Sequence, residues 1–413
     1  MSFGLIGGSI QHSLSPMIHK LLHDMPYPLY ETLDLKGTLS LPTLKALNVT
    51  MPLKKAAFEM AHAHDDWAEL TGAVNTLIKT PEGWHGYNTD ASALYELFSK
   101  WFKNDSEKAV HILGNGATAR TIRVVLSALG FQDITVHARH PKAGESTWES
   151  LRDASGILMN ATPVGLHETA QDYPFDLNRV TQFDAAFDVL YTPYRTPLIQ
   201  AAIRHGIRWT SGLSMLIQQA IHGAKLAQPK IPLKADAKTV FKTVLKNDLN
   251  VVIIGMPQAG KSTFGNALAR HLNRPFFDVD AIIKETTGKA PHTWIESSGE
   301  AAFRRIEHET VKKLESKRGA VIATGGGTVL DPENVARLKA RGVLVYLQAP
   351  DPVSLDASRP LSSTIDAYHI LKKTRTPLYE RVCDYAIHRH EDFEIMKEKW
   401  EVSHDTFLRH QWP

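Results

Sequence analysis

Short apolar runs punctuated by glycine open this chain. FGLIGG, ALNVTMP and AVNTLI fall among stretches of helical spacing in its first hundred residues. Their alternation with helices predicts a small α/β unit. The pattern then sharpens. AVHILG reads as a strand, TARTIRVVLSALG as a helix closed by Gly130, and DITVHAR as a second strand, which together make a βαβ unit. ASGILMNATP and FDAAFDVLY are apolar almost throughout, as strands covered on both faces of a parallel sheet are. SGLSMLIQQAIHGAKL returns to helical spacing.

Beyond Pro229 and Pro232, LKADAKTVFKTVLKN places Ala237, Val240, Phe241, Val244 and Leu245 on one helix face. Lys234, Lys238, Lys242 and Lys246 recur along the adjoining face, which reads as solvated. The strand NVVIIG opens a second α/β unit, so a boundary is expected near residue 247. No solenoid repeat or low-complexity segment is visible.

At 413 residues the chain is too long for one ordinary core, and two or three units are expected. Apolar residues make up 43% and charged residues 22%, a globular composition. Cys383 is the only cysteine, which excludes an internal disulfide and a CxxC pair and fits a reducing compartment. The N-terminus has no basic leader, and no apolar run reaches the length of a membrane helix. A cytoplasmic protein is expected, with neither a membrane nor nucleic acid as a partner. The net charge of +3, with both signs interspersed, suits small anionic ligands better than nucleic acid, which calls for a clustered basic face. The histidine-rich tail HRHEDFEIMKEKW…HDTFLRHQWP reads as a solvated surface helix rather than a metal site.

Two glycine loops carry the chemistry. GNGATA, Gly114 to Ala119, follows a strand and opens a helix, the context in which small residues let the backbone approach a dinucleotide pyrophosphate. Gly114, Asn115, Gly116 and Ala117 are the candidate contacts. The second strand of this βαβ unit ends in HARHPK, without the carboxylate that an NAD site places there; Arg139 and Lys142 suit the 2′-phosphate of NADP.

Seven stretches of the front half, HSLSP, NVTMPLK, GAVNTL, GYNTD, NATPVG, DVLYTPYRTPL and SGLSMLIQQA, lie in an order that resembles shikimate dehydrogenase over residues 1 to about 245. The resemblance implies reduction of a ring ketone by hydride from a nicotinamide, with a proton delivered to the developing alkoxide. It identifies Lys54 and Asp90 as the catalytic pair. It places Ser13 and Ser15 on the substrate carboxylate, and Thr50, Asn75, Tyr191 and Gln219 around the ring hydroxyls. Asn160, Thr162 and Gly212 are implied on the cofactor side. The stretch between HSLSP and NVT is shorter than the family's, Ala117 and Thr118 replace a glycine and a small residue, and Ala138 replaces a polar one.

The second loop, GMPQAGKST, fits GxxxxGK[ST] between a strand and a helix. Backbone N–H groups from Gly255 to Gly260 would wrap phosphates, Lys261 would reach the β/γ oxygens of ATP, and Ser262, followed by Thr263, would ligate Mg²⁺. FFDVD, GEAAFRRIE, ATGGGTVL, SRPLS and RTPLYERV follow in an order that resembles shikimate kinase, over residues about 249 to 413. The resemblance implies Asp280 as the group that orients the attacking hydroxyl, Asp278 near Mg²⁺, and Arg304 and Arg375 as a carboxylate clamp. Gly325, Gly326 and Gly327 would admit the acceptor, Glu307 would fix Arg304, and Arg359 would act from a lid that PVSLDASRPL makes short.

The expected fold class is α/β: a small α/β substrate domain (1–105 with 212–246), a Rossmann-type NADP domain (106–211), and a P-loop domain of the nucleoside-monophosphate-kinase kind (249–413). The expected function is bifunctional, NADPH-dependent reduction of 3-dehydroshikimate to shikimate followed by ATP-dependent phosphorylation. Two alternatives stand beside it. One is a non-catalytic sensor of the same acids; the other is a quinate or shikimate dehydrogenase that uses NAD, fused to a kinase.

Overall fold

The computed structural model describes residues 2–166, 173, 175–351, 364–409 and 411. The chain divides into two compact units within the helix Ala237–Asp248, the first ending at Val244 and the second running from Leu245 to Gln411. Val240, Phe241, Val244 and Leu245 of this helix are buried, and Lys238 and Lys246 are exposed.

The first unit contains two sheets. One is formed by β1 (Ser2–Gly7), β2 (Leu29–Glu31), β3 (Leu44–Val49), β4 (Ala63–His64), β5 (Thr76–Thr80) and β6 (Gly83–Tyr87), in the order β2-β1-β3-β5-β6-β4. β1 pairs parallel with β2 and β3, while β5 runs antiparallel to β3 and β6. The short stretch after HSLSP still supplies a strand and a helix, of three and five residues (β2 and Leu35–Leu39).

The second sheet is wholly parallel: β7 (Val110–Leu113), β8 (Ile134–Ala138), β9 (Ser146–Thr147), β10 (Gly156–Asn160), β11 (Phe183–Asp188) and β12 (Arg208–Ser211), in the order β12-β11-β10-β7-β8-β9. Counted from β7 this is the doubly wound order 3-2-1-4-5-6 read from the other edge. Its strands alternate between two cores. Val110, Ile112, Ile157, Met159 and Phe187 meet Leu94, Phe98, Ile122 and Val125, whereas Leu158, Phe183 and Ala186 meet Leu198, Ala201 and Ala202. Coverage of both faces explains the unbroken apolar runs.

The second unit is a five-stranded parallel sheet of β13 (Asn250–Ile254), β14 (Phe276–Asp278), β15 (Val321–Ala323), β16 (Gly342–Gln348) and β17 (Tyr385–His388), ordered β14-β15-β13-β16-β17. β13 lies at the centre, so the loop that leaves it is flanked by the carboxyl ends of β15 and β16. The tail helix Phe393–Arg409 corrects the expectation of a solvated helix. Met396, Trp400, His404 and Leu408, spaced four apart, are buried, and Met396 and Trp400 pack on Val251, Ile253 and Leu268. Among the described residues, no helix is long and apolar enough to cross a membrane.

Candidate functional sites

In the first unit a cavity of about 390 Å³ opens between the carboxyl ends of the two sheets. All eight substrate-facing and catalytic residues expected there line it: Ser13, Ser15, Thr50, Lys54, Asn75, Asp90, Tyr191 and Gln219. Ser15, Lys54, Asp90 and Gln219 stand on four different helices, and Ser13, Thr50, Asn75 and Tyr191 in the turns between elements. Ser13 ends the turn after β1, and its hydroxyl accepts from the Ser15 N–H at 3.1 Å where helix Ser15–Leu22 begins. Lys54 starts helix Lys54–Met60. Asp90 sits in the first turn of helix Thr89–Trp101, which Asn88 caps through the Ala91 N–H. Lys54 Nζ and Asp90 Oδ2 meet at 2.7 Å, one quarter or less exposed.

A hydrogen-bonded chain behind the cavity escaped the sequence reading. Tyr27 OH donates to Asn48 Oδ1 (2.7 Å), Asn48 Nδ2 donates to Thr76 Oγ1 (2.9 Å), and Thr76 and Thr89 share a hydroxyl contact at 2.9 Å. Asn75 Oδ1 accepts from the Thr89 N–H at 2.7 Å and from the Thr89 hydroxyl at 3.1 Å. These bonds fix both amides, so Asn75 turns its Nδ2 donors toward the cavity. Tyr27 is half-buried, and desolvation pushes its phenol above the ordinary range and keeps it a donor.

On the cofactor side, Gly114 stands at φ +97°, and a Cβ there would lie 2.7 Å from Thr162 Cγ2. Gly116 precedes helix Ala117–Ala128, whose first N–H groups have no side-chain cap. A Cβ on Gly116 would meet nothing within 4 Å, so this helix end faces open space. Such an N-terminus suits a phosphate. Gly212 opens helix Gly212–Ala227, also without a side-chain cap, and passes so close to the Val189 carbonyl that no Cβ fits. Asn160 Oδ1 accepts from the Thr162 N–H (3.0 Å) and hydroxyl (2.6 Å), which closes the turn after β10. Arg139 lies over the Trp148 ring, 5.0 Å from its centre. Glu145, which lies outside the basic motif, reaches back to Asn115 Nδ2 and the Lys142 N–H, each at 2.8 Å.

Asp188, at the end of β11, ties these turns together. Its Oδ1 accepts from Asn160 Nδ2 and the Leu190 N–H, both at 3.0 Å, and its Oδ2 accepts from Tyr173 OH (3.0 Å) and Thr196 Oγ1 (2.7 Å). Complete burial pushes its carboxyl up to about 6, against the opposing pull of Thr196, the Leu190 N–H, Tyr173 and Asn160.

In the second unit, Gly260, at φ +85°, precedes helix Lys261–Leu272, which again lacks a side-chain cap. Lys261 Nζ donates to the Gly255 and Met256 carbonyls at 3.0 and 2.8 Å, so the lysine spans its own loop; Ser262 and Thr263 are exposed. Asp278 ends β14 and caps helix Val279–Thr287 through the Ala281 N–H, with Asp280 in the first turn. The turn Gly325–Gly327 is where the candidate residues converge. A Cβ on Gly325 would lie 2.7 Å from Glu307 Oε1 and 3.0 Å from Asp280 Oδ1, one on Gly326 2.8 Å from Pro257, and one on Gly327 2.1 Å from Arg304 Nη2. Only glycine lets the turn lie against all of them.

Arg304 Nη1 donates to buried Glu307 Oε2 at 2.7 Å, as its place one turn away implies, and Glu300 accepts from Nη2 at 2.8 Å. Thr328 completes Glu307 at 2.6 Å. Burial pushes Arg375 below its ordinary range; Tyr379 opposes that shift and the positive charge of Arg304 adds to it. Tyr379 OH in turn donates to the Gly326 carbonyl. A second cavity, of about 130 Å³, adjoins the phosphate loop between Gly260, Thr263, Phe264, Leu347, Arg389 and Phe393; the sequence motif named its first two residues but not Leu347, Arg389 or Phe393. Arg359 lies outside the described residues.

Two family profiles match different parts of the chain. The family profile described as shikimate kinase matches residues 257–402, and that of the shikimate dehydrogenase substrate binding domain matches residues 5–77. The chain is similar to the shikimate kinase of Xylella fastidiosa, 40% identical over 146 residues that make up 33% of this chain and 81% of that protein. It is also similar to that of Vibrio parahaemolyticus, 41% over 147 residues, 33% and 85% of the two chains. Among solved structures, a chorismate mutase/shikimate 5-dehydrogenase fusion protein from Clostridium acetobutylicum matches with a TM-score of 0.54 and 28% identity, over 59% of this chain and 96% of that one. Shikimate 5-dehydrogenase of Thermus thermophilus, solved with NADP(H) and shikimate, matches with a TM-score of 0.51 and 27% identity, over 58% and 97%.

The Asp188 geometry makes a pH prediction. Its folded carboxyl, at about 6, lies above the ordinary aspartate value, so the folded state keeps a proton that the unfolded chain releases. The resulting stabilisation is complete below the unfolded value and is lost as pH rises through about 6. Chemical denaturation of wild type and Asp188→Asn should show the stability difference falling, against wild type, by on the order of 2 kcal/mol between pH 4 and 7. A difference independent of pH would contradict the assignment.

Proposed function

We propose, for a chain that belongs to the shikimate kinase family through its second unit and is built as a shikimate dehydrogenase in its first, two consecutive reactions on one small acid: NADPH-dependent reduction of 3-dehydroshikimate to shikimate, and ATP-dependent phosphorylation of the 3-hydroxyl that the reduction creates. Residues 1–105 with 212–246 bind the first substrate, 106–211 the dinucleotide, and 249–413 catalyse the phosphorylation.

The Lys54–Asp90 pair on the wall of the 390 Å³ cavity is what supports the first reaction. A nicotinamide bound beside this pair would supply the hydride for the carbonyl carbon. Lys54 gives its proton to the oxygen as negative charge develops there, and Asp90 holds the ammonium in place. Ser13 and Ser15 address the carboxylate, Asn75 donates to a ring oxygen, and Thr50, Tyr191 and Gln219 close the pocket. The uncapped helix at Gly116 receives the pyrophosphate, with Asn160, Thr162 and Gly212 shaping the remaining wall.

The convergence of Gly325–Gly327 on Asp280, Arg304 and the phosphate loop supports the second reaction. Arg304 and Arg375 pair with the carboxylate, Asp280 orients the 3-hydroxyl and takes its proton, and Lys261 leaves its carbonyl partners for the transferring phosphate. The Ser262 hydroxyl and Asp278 carboxylate suit a hard cation that draws its other ligands from phosphate and water, and the described residues hold no cluster of three or more His, Cys, Asp or Glu. Mg²⁺ held there would neutralise charge on the phosphates. The cavity beside Arg389 and Phe393 takes the base.

Two tests follow. Lys54→Ala should lower NADP⁺-dependent oxidation of shikimate by roughly 100-fold or more and leave ATP-dependent phosphorylation intact, and Lys261→Ala should do the reverse. Absence of both activities in the wild type would refute the assignment. Tyr27→Phe, which removes a hydroxyl that meets Asn48 and Ser15 from outside the cavity lining, should raise the dehydrogenase KM for shikimate by about 5–10-fold while the dinucleotide KM stays unchanged. An unaltered shikimate KM would remove Tyr27 from the site.

A further inference from the structure

The end of β8 carries three basic side chains, Arg139, His140 and Lys142, and the chain beyond it folds back on the glycine turn. Asn115, between the two glycines, donates to the His140 carbonyl at 3.2 Å and to Glu145 Oε2 at 2.8 Å. The same carboxylate oxygen accepts from the Lys142 N–H at 2.8 Å. First the Lys142 N–H and then the Asn115 amide hold the Glu145 carboxyl below its ordinary value, so it is an anion. An anion of this chain thus occupies donors in the corner where the adenosine ribose lies in a doubly wound fold, at the end of the second strand beside the glycine turn.

We propose that Glu145 sets the dinucleotide preference of the first unit by occupying donors that a 2′-phosphate would use. The inference rests on the reading that the Gly114–Ala117 turn binds a dinucleotide. A 2′-phosphate entering this corner meets a carboxylate of like charge already paired with Asn115 and the Lys142 N–H, and has to displace it. A ribose 2′-hydroxyl instead donates to that carboxylate, as it does to the acidic residue of NAD sites. The basic side chains and Glu145 therefore pull in opposite directions. The wild type thus discriminates less in favour of NADP than Arg139 and Lys142 alone would impose.

Glu145 is partly exposed and packs in no core, so Glu145→Gln tests the charge without threatening the fold. The measurements are Kd for NADPH and NADH, from nicotinamide fluorescence on the full chain, and kcat/KM for shikimate oxidation with NADP⁺ and NAD⁺. The variant should shift the ratio toward the phosphorylated dinucleotide by about tenfold in both readouts, with the shikimate KM unchanged. Glu149→Gln, which neutralises a fully exposed carboxylate nearby, should leave the ratio within about twofold of wild type. An unmoved ratio in a folded Glu145→Gln protein overturns the proposal while the reductase reading stands. A shift toward NADH also overturns it, because Glu145 would then be ordering the loop for the phosphate. A tenfold shift in binding without shikimate oxidation supports the proposal and sinks the reductase reading.

Discussion

Helices Ala117–Ala128 after β7, Gly212–Ala227 after β12 and Lys261–Leu272 after β13 each begin beyond the carboxyl end of a parallel strand with no side chain to cap them. Uncapped N–H groups are a cost that water or an anion must offset. The parallel sheets force this arrangement, since each strand delivers its chain to the same edge as its neighbours and a helix must start there. The glycines that precede or begin these helices keep the approach open, and the pyrophosphate and triphosphate proposed as ligands satisfy what the fold leaves unsatisfied.

On the proposed assignment the two units recognise one carboxylate-bearing ring in different ways. The first uses hydroxyls and amides whose orientation is fixed from behind, through Tyr27, Asn48, Thr76 and Thr89. The second uses guanidinium groups, with Arg304 braced by Glu300 and Glu307 and Arg375 held below its ordinary range by burial. The oxygen protonated by Lys54 is the same oxygen that Asp280 must orient, so the second reaction has no acceptor until the first has run.

Much of this was legible in the sequence because the two loops and their flanking motifs are local. GNGATA and GMPQAGKST each lie between a strand and a helix of regular spacing, and the alternation of those elements marks parallel α/β sheets without fixing their strand orders. What escaped is long-range. Asn48 meets Tyr27 across 21 residues and Thr76 across 28, and Glu145 reaches Asn115 across 30; no periodicity encodes such pairs. Asp188 sat inside a recognised motif, but its four donors come from separate turns. The tail helix was misread because its charged residues break up the apolar ones along the sequence, while Met396, Trp400, His404 and Leu408 form a narrow stripe that only the sheet behind it makes a core.

The central claim is that one chain makes an acceptor hydroxyl and then uses it. Its most direct test supplies the purified protein with 3-dehydroshikimate, ATP and Mg²⁺, and follows ADP release and NADPH oxidation together. ADP release should begin only when NADPH is added and should then track its oxidation mole for mole, after any initial lag. ADP formed without NADPH, or NADPH consumed with no ADP released, would contradict it.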